Sequence, residues 1–242
     1  MRRGRPRSPA NAAGVQRQLP RSAAGAVCAA VFVGVAWALP APAATHASLS
    51  VLPDDGQTVK YRLTGDRQTL AEDVKFNNLI TLVRTGNTVA VTSVPDKGTT
   101  LPGNARLLND GSLLIDIGDL AVQLDAITLA STVAVKAPVP LSLVSTWTVP
   151  APVVVAAARV TVPLSVIVSD AAPEHTALSA QGRAKAQLPG KDGPLDGNVS
   201  VTFALNFTNG AFTSASGDVF SDASPSANGA HEVIHWHLEP QS

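Results

Sequence analysis

Residues 199–207 read VSVTFALNF, with Val, Leu or Phe at every odd position and Ser, Thr, Ala or Asn at every even one. Successive side chains of an extended strand point to opposite faces, so this pattern predicts a strand with one buried and one solvent-facing side. Parallel strands covered on both faces would be apolar throughout. Residues 139–149 and 160–168 alternate in the same way. We therefore predict an all-β fold: an antiparallel β-sandwich or a strongly curved sheet, in one domain.

Turn sequences between the apolar runs agree with antiparallel pairing. Asp110-Gly111 and Asn209-Gly210 each separate two apolar runs, and Thr85-Gly86-Asn87 separates two more. Asn, Asp and Gly tolerate the positive φ of tight hairpin turns. Further strands are predicted at 58–63, 121–129, 177–187 and 231–238, and turn-like connections at 188–198 and 221–230. Prolines cannot donate to a ladder, so Pro150, Pro152 and Pro163 favour edges, bulges or strand starts.

One segment also permits a helix. Thr69 and Glu72 match a capping box, and apolar residues after them recur at helical spacing up to Val83. Asn77-Asn78 and the β-branched residues that follow favour a strand instead. The alternative fold class is therefore α+β, with one helix near 69–83.

The first 47 residues have the organisation of a secretory signal peptide. A basic stretch ending at Arg21 precedes the apolar run 23–39, and small-residue sites follow at 41–43 and 45–47. The run is short and rich in Ala and Gly, which disfavours an uncleaved membrane anchor. We predict a signal peptide at 1–47 and a single antiparallel β domain at 48–242. Cleavage after Ala43 or after Ala47 fits equally, and translation from Val15 would shorten the long basic region.

Charge and cysteine content restrict the function of the mature chain. Six arginines and no acid precede residue 48, which leaves 12 basic and 18 acidic residues and a net charge of −6. This argues against nucleic acid as a partner. The one cysteine, Cys28, lies in the leader, so a cleaved chain has no disulfide, thiolate ligand or cysteine nucleophile. We expect a bacterial periplasmic or extracellular protein with no transmembrane segment after cleavage and no cofactor.

Three histidines near the C-terminus are the candidate metal ligands. In a strand over 231–238, His231, His235 and His237 share one face, and the apolar residues between them share the other. His235 and His237 are spaced so that both imidazoles could reach one metal ion. In the alternative reading the histidines are ordinary solvent-facing residues above a strand whose other side packs on the core.

Other candidates for chemistry are less specific. A glycosidase needs only two carboxylates at the right separation. With 18 acidic residues in the chain, this criterion selects no particular pair. No regular calcium loop, nucleophile elbow or phosphate-binding loop is present. Trp147 shares a face with apolar neighbours and is expected in the core. The clustered acids are Asp110, Asp116, Asp119 and Asp125, with Asp192 and Asp196 in a Gly/Pro segment.

These features predict an exported non-enzymatic β-domain protein of the bacterial envelope or extracellular space, with a binding or structural role. One alternative is a carrier of an apolar ligand or lipid, in which the Val/Leu/Phe face of a curved sheet lines a cavity. Another is a metal-dependent envelope enzyme that uses His235 and His237. A protein partner could also join through an edge strand, where backbone groups are unpaired.

Overall fold

Strands joined mostly by tight turns form one antiparallel sheet. The computed structural model describes residues 48–115, 118–172, 174–190, 192–223 and 231–242, with side chains outside 115–123. The predicted signal peptide therefore lies outside the described residues. In chain order the elements are β1 (Thr58–Thr69), β2 (Asp73–Thr85), β3 (Thr88–Pro95), β4 (Leu101–Leu107), β5 (Leu113–Ile115), α1 (Gly118–Val135), β6 (Thr146–Val155), β7 (Ala158–Ala171), β8 (His175–Gly190), β9 (Gly193–Thr208), β10 (Ala211–Ala223) and β11 (His231–Gln241).

The sheet joins two meanders through its first and last strands. Among the described residues, the eleven strands lie in the order β5-β4-β3-β2-β1-β11-β10-β9-β8-β7-β6. Every neighbouring pair is antiparallel, including β1 with β11. The short strand β5 and the longer β6 are the edges, and α1 connects them along the chain. The predicted fold class is confirmed, in the form of a strongly curved sheet.

The helix α1 forms the centre of the core. Every residue from Leu124 to Ala134 is buried, so the helix is covered on all sides over this length. It contacts both edges, β5 and β6, and also β10 and β11 from the middle of the sheet. A long twisted sheet curls, and here it curls around the helix. Within the described residues, no helix is both long enough and apolar enough to cross a membrane.

The strand predicted at 121–129 is wrong, because these residues belong to α1. A helix buried on all sides has no polar face, so its sequence carries no helical periodicity. A short apolar run without periodicity cannot be assigned to helix or strand from the pattern alone. The sequence pattern alone therefore does not separate a strand from a helix at 121–129, and packing inside the curved sheet selects the helix.

The alternative helix near 69–83 is also wrong, because β2 covers Asp73–Thr85. Thr69, the predicted helix cap, closes a turn instead. Its Oγ1 accepts hydrogen bonds from the backbone N–H groups of Ala71 and Glu72, at 3.2 and 3.1 Å. The chain then enters β2, where Ile80 and Leu82 are buried on alternate positions. The favoured strand prediction is confirmed here.

Two other boundaries differ from the predictions. The strand predicted at 139–149 begins only at Thr146, because Ser142 and Ser145 form a turn in which Ser145 N–H donates to Ser142 O at 2.9 Å. The segment 188–198 is mostly strand, since β8 and β9 extend to a closing pair at Gly190 and Gly193. In the segment 221–230, β10 extends to Ala223, and 224–230 lies outside the described residues. The three predicted hairpins are confirmed.

Large and small side chains alternate around the inner face of the sheet. Trp236 lies opposite a glycine on each neighbouring strand, Gly65 of β1 and Gly217 of β10. A Cβ on Gly65 would lie 2.6 Å from Cζ of Phe76, and a Cβ on Gly217 would lie 2.3 Å from Cβ of Phe203. The two glycines thus allow the neighbouring strands and the Phe76 ring to approach closely, as in other strongly curved sheets. One row of directly paired residues crosses the sheet from β2 to β6 and consists, in order, of Phe76, Gly65, Trp236, Gly217, Phe203, Ala180, Val166 and Trp147.

Candidate functional site

The three C-terminal histidines share the outer face of β11, as their parity predicts. The apolar residues Ile234, Trp236 and Leu238 between them are buried. His235 Nδ1 lies 2.5 Å from Asp218 Oδ1, and this hydrogen bond raises the pKa of His235. His231 and His237 each lie 3.6 Å from a different carboxylate, those of Asp222 and Glu239.

The histidines are therefore paired with separate acids rather than gathered around one point. Among the described side chains, no group of three or more His, Cys, Asp or Glu residues is arranged to hold a metal ion. His235 faces Asp66 on β1 and Asp218 on β10 in the strand register. The metal site remains a prediction that this geometry does not support.

Most acids singled out from the sequence have local structural roles. Asp110 accepts hydrogen bonds from Ser112 Oγ at 2.5 Å and Ser112 N–H at 3.0 Å, and lies 3.0 Å from Lys136 Nζ. These contacts, the Ser112 hydroxyl first, lower the pKa of Asp110 to about 2. Asp196 accepts a hydrogen bond from Gln187 on the paired strand, and Asp192 is exposed. Asp116 and the side chain of Asp119 lie outside the described residues.

Two carboxylates are buried on the inner side of the sheet. Asp125 of α1 accepts a hydrogen bond from the backbone N–H of Val154 at 2.6 Å. Glu232 of β11 accepts one from Ala156 N–H at 2.5 Å, and its other oxygen accepts from Arg67 Nε. Burial raises the pKa of Asp125 well above its usual value, and the nearby charge of Glu232 raises it further.

Both carboxylates accept hydrogen bonds from backbone N–H groups at the unpaired edge of β6 and in the turn that follows it. Val155 and Ala158 close a two-residue hairpin, so even-numbered residues of β6 direct their backbone groups away from β7. Pro150 and Pro152 have no N–H to offer there, and the N–H of Val154 is bonded to Asp125. This edge therefore presents few free donors, which disfavours strand addition along it. The acids act here as structural acceptors.

The burial of Glu232 could have been predicted from the parity of its strand. Glu232 has the same parity as Ile234 and Trp236, so the strand pattern already placed it on the buried face. A carboxylate there needs a partner, and Arg67 of β1 has the inward parity of Leu63. Only the register of β1 with β11 brings the two together, across 165 residues of chain.

Three small cavities lie beside described residues of the helix and the sheet. One of about 20 Å³ adjoins Asp125, one of about 150 Å³ adjoins Ser131 and Arg84, and a cleft of about 200 Å³ adjoins Glu232 and Leu70. Ligand pockets usually measure about 300–1,000 Å³. Because α1 occupies the centre of the sheet, these cavities do not favour an apolar-ligand carrier. Trp147 is half-buried and packs against the core, as expected.

A larger cleft lies on the outer side of β8, β9 and β10. We call it the outer cleft; it measures about 620 Å³ and is lined by Arg183, Ala184, Lys185, Asn198, Val199, Ser200 and Phe220. Arg183 faces Ser200, which faces Phe220, and Lys185 faces Asn198 in the next row. The Phe220 ring meets His231 edge-to-face, with centroids 5.6 Å apart, and remains 37% exposed. The outer cleft thus combines cations, polar side chains and an aromatic ring.

Comparison with protein-family models, with curated proteins and with solved structures finds no match for this chain. Function therefore has to be argued from the arrangement of the residues. Of the features described above, the outer cleft is the one whose size and lining suit a ligand. Its residues come from three strands and were not singled out by any motif in the sequence.

Proposed function

We propose that the mature chain is an exported, non-enzymatic binding protein of the periplasm or extracellular space, and that it binds its ligand in the outer cleft. The observation that carries this proposal is a cleft of about 620 Å³ that is lined by Arg183, Lys185 and Phe220. That volume falls in the range of small-molecule sites, which combine apolar contact with a few polar groups that fix orientation.

Export is supported by the order of basic, apolar and small residues in 1–47. Two buried residues of the β domain lie just after both predicted cleavage sites. Leu49 and Val51 are buried, and the Tyr61 hydroxyl donates a hydrogen bond to Val51 O. Cleavage after Ala43 or Ala47 leaves these contacts intact, so the folded domain does not depend on the leader for them.

A non-enzymatic role is supported by the partners of the perturbed groups. Asp125 and Glu232 accept backbone hydrogen bonds that fix the edge of β6. Asp110 closes a turn, and His235 pairs with Asp218 on the outer face. Each of these four described groups therefore has a structural partner, which accounts for its burial or its pKa shift without a catalytic role.

Mass spectrometry of protein recovered from its native compartment tests this proposal. Full-length precursor expressed in a bacterial host should yield a chain that begins at Ala44 or Ser48. Under native conditions we expect a bound small molecule that Phe220→Ala loses. Ile167→Ala is the matched control, because Ile167 is an exposed apolar residue on the outer face of β7. Uncleaved precursor would contradict export, and an adduct retained by Phe220→Ala would contradict binding in the outer cleft.

A further inference from the structure

We infer that the ligand of the outer cleft is an acidic sugar: one or two sugar rings that carry a carboxylate or a phosphate. This inference rests on the proposed binding function and adds the chemical class of the ligand. Arg183 and Lys185 bind the anionic group, Phe220 contacts the apolar face of a ring, and Asn198 and Ser200 hydrogen-bond to ring hydroxyls. The four side chains other than Phe220 come from β8 and β9, which are paired along this whole region.

The two cations lie on one face of β8, two residues apart, which places them roughly 7 Å from each other along the strand. Both are exposed, and neither forms an ion pair with another described side chain. Other arginines differ: Arg62 pairs with Asp96 and Arg67 with Glu232. Two acids lie on the same face, Asp222 opposite Asn198 and Asp196 opposite Gln187, but their recorded partners are His231 and Gln187 rather than the two cations. Arg183 and Lys185 can therefore contact an anion, and a guanidinium binds carboxylate or phosphate with two hydrogen bonds.

The sheet itself gives access to these cations. β7 and β8 are paired only as far as Leu164 and Gly182. The next position on β7 is Pro163, which has no N–H to continue the ladder toward Arg183. Beyond this point β8 is paired with β9 alone, so Arg183 and Lys185 stand beside a strand edge rather than in the middle of a sheet.

Phe220 and the polar residues complete a surface of the right width for a sugar. Phe220 lies two strands from Arg183, roughly 10 Å at the usual strand spacing, with Ser200 on the strand between them. Aromatic rings contact the apolar face of sugar rings, and amide and hydroxyl groups match sugar hydroxyls. The volume of about 620 Å³ suits one or two rings, and the mature charge of −6 disfavours a long polyanion.

Calorimetric titration at low ionic strength tests the inference, with glucuronic acid, glucose 6-phosphate, glucose and inorganic phosphate as the four probes. We expect at least one acidic sugar to bind about tenfold more tightly than glucose and inorganic phosphate. Arg183→Gln with Lys185→Gln should weaken that binding about tenfold, and added salt should weaken it as well. Phe220→Ala should weaken the binding of the acidic sugar but not that of phosphate.

The matched control is Lys60→Gln with Lys97→Gln, which removes the same charge from exposed positions outside the outer cleft. This double variant should bind like the wild type, and circular dichroism checks that all variants fold. If glucose binds as tightly as the acidic sugars and Phe220→Ala loses it, the acidic class is wrong although the cleft binds a ligand. If phosphate binds as tightly as the sugars, the cleft is a simple anion site. Absence of binding to all four probes also overturns the inference.

Discussion

Glu232 accepts a hydrogen bond from the backbone N–H of Ala156, at 2.5 Å and across 76 residues of chain. The contact joins β11, in the middle of the sheet, to the turn between β6 and β7 at its edge. Ala156 and Ala157 both have positive φ, 46° and 62°, a conformation that costs free energy for residues other than glycine. The carboxylate therefore helps to hold a turn that its own sequence does not favour.

Glu232→Gln should destabilise the fold by about 2 kcal/mol. The substitution leaves Arg67 without its anion, but Arg67 is about one-third exposed, so solvent compensates part of the loss. Urea unfolding measures the change in the free energy of unfolding. Glu239→Gln, on the exposed outer face of β11, is the control and should change it by no more than about 0.5 kcal/mol. Equal effects of the two substitutions would contradict the role given to Glu232.

Asp125 should make the protein less stable as the pH rises. Its pKa in the folded state is raised, so the folded chain keeps a proton that the unfolded chain releases above about pH 4. Stability therefore falls with pH from the unfolded pKa up to the folded pKa. Asp125→Asn retains an oxygen acceptor for Val154 N–H and removes this dependence. Urea unfolding between pH 4 and pH 8 measures it, and the same pH slope in both proteins would contradict a raised pKa.

His235 should also make the protein less stable as the pH rises, but over a range that begins at the unfolded histidine pKa of about 6.5. Asp218 raises the folded-state pKa of His235, so the stabilisation is present below the unfolded pKa and is lost as the pH rises through the folded pKa. Asp218→Asn should return the pKa of His235 toward 6.5. An NMR titration of the imidazole measures this shift. Asp222→Asn, which removes the partner of His231, should leave His235 unchanged; a comparable shift there would contradict the pairing.

Gly217→Ala should destabilise the fold by roughly 2–3 kcal/mol, because the added methyl overlaps Phe203 and the backbone oxygen of Thr202. Gly56→Ala is the control. Gly56 has a positive φ of 77°, which disfavours alanine, but no heavy atom lies within 4 Å of its added Cβ. We expect a cost of about 1 kcal/mol there, from φ alone. Thermal or urea unfolding compares the two. A smaller cost at Gly217 than at Gly56 would show that the inner face is not crowded.

The sequence predicted correctly those strands that have one buried face and one solvent-exposed face. In β7 and β9, two-residue alternation identified the inward residues, such as Val162 and Val201, because burial follows parity there. The same rule failed for α1, since a helix enclosed on every side has no polar stripe to reveal its period. The outer cleft could not be predicted either: Arg183, Ser200 and Phe220 become neighbours only through the strand register. Single-strand patterns do not contain that register.

Binding in the outer cleft is tested most directly by an NMR titration of ¹⁵N-labelled mature protein with glucuronic acid and with glucose 6-phosphate. Chemical-shift changes locate the site without relying on a substitution. We predict that the largest changes with at least one probe occur at the amides of Arg183, Lys185, Asn198, Ser200 and Phe220. Largest changes in α1, or at His235 and His237, would contradict the account and place the ligand inside the sheet or at the histidines.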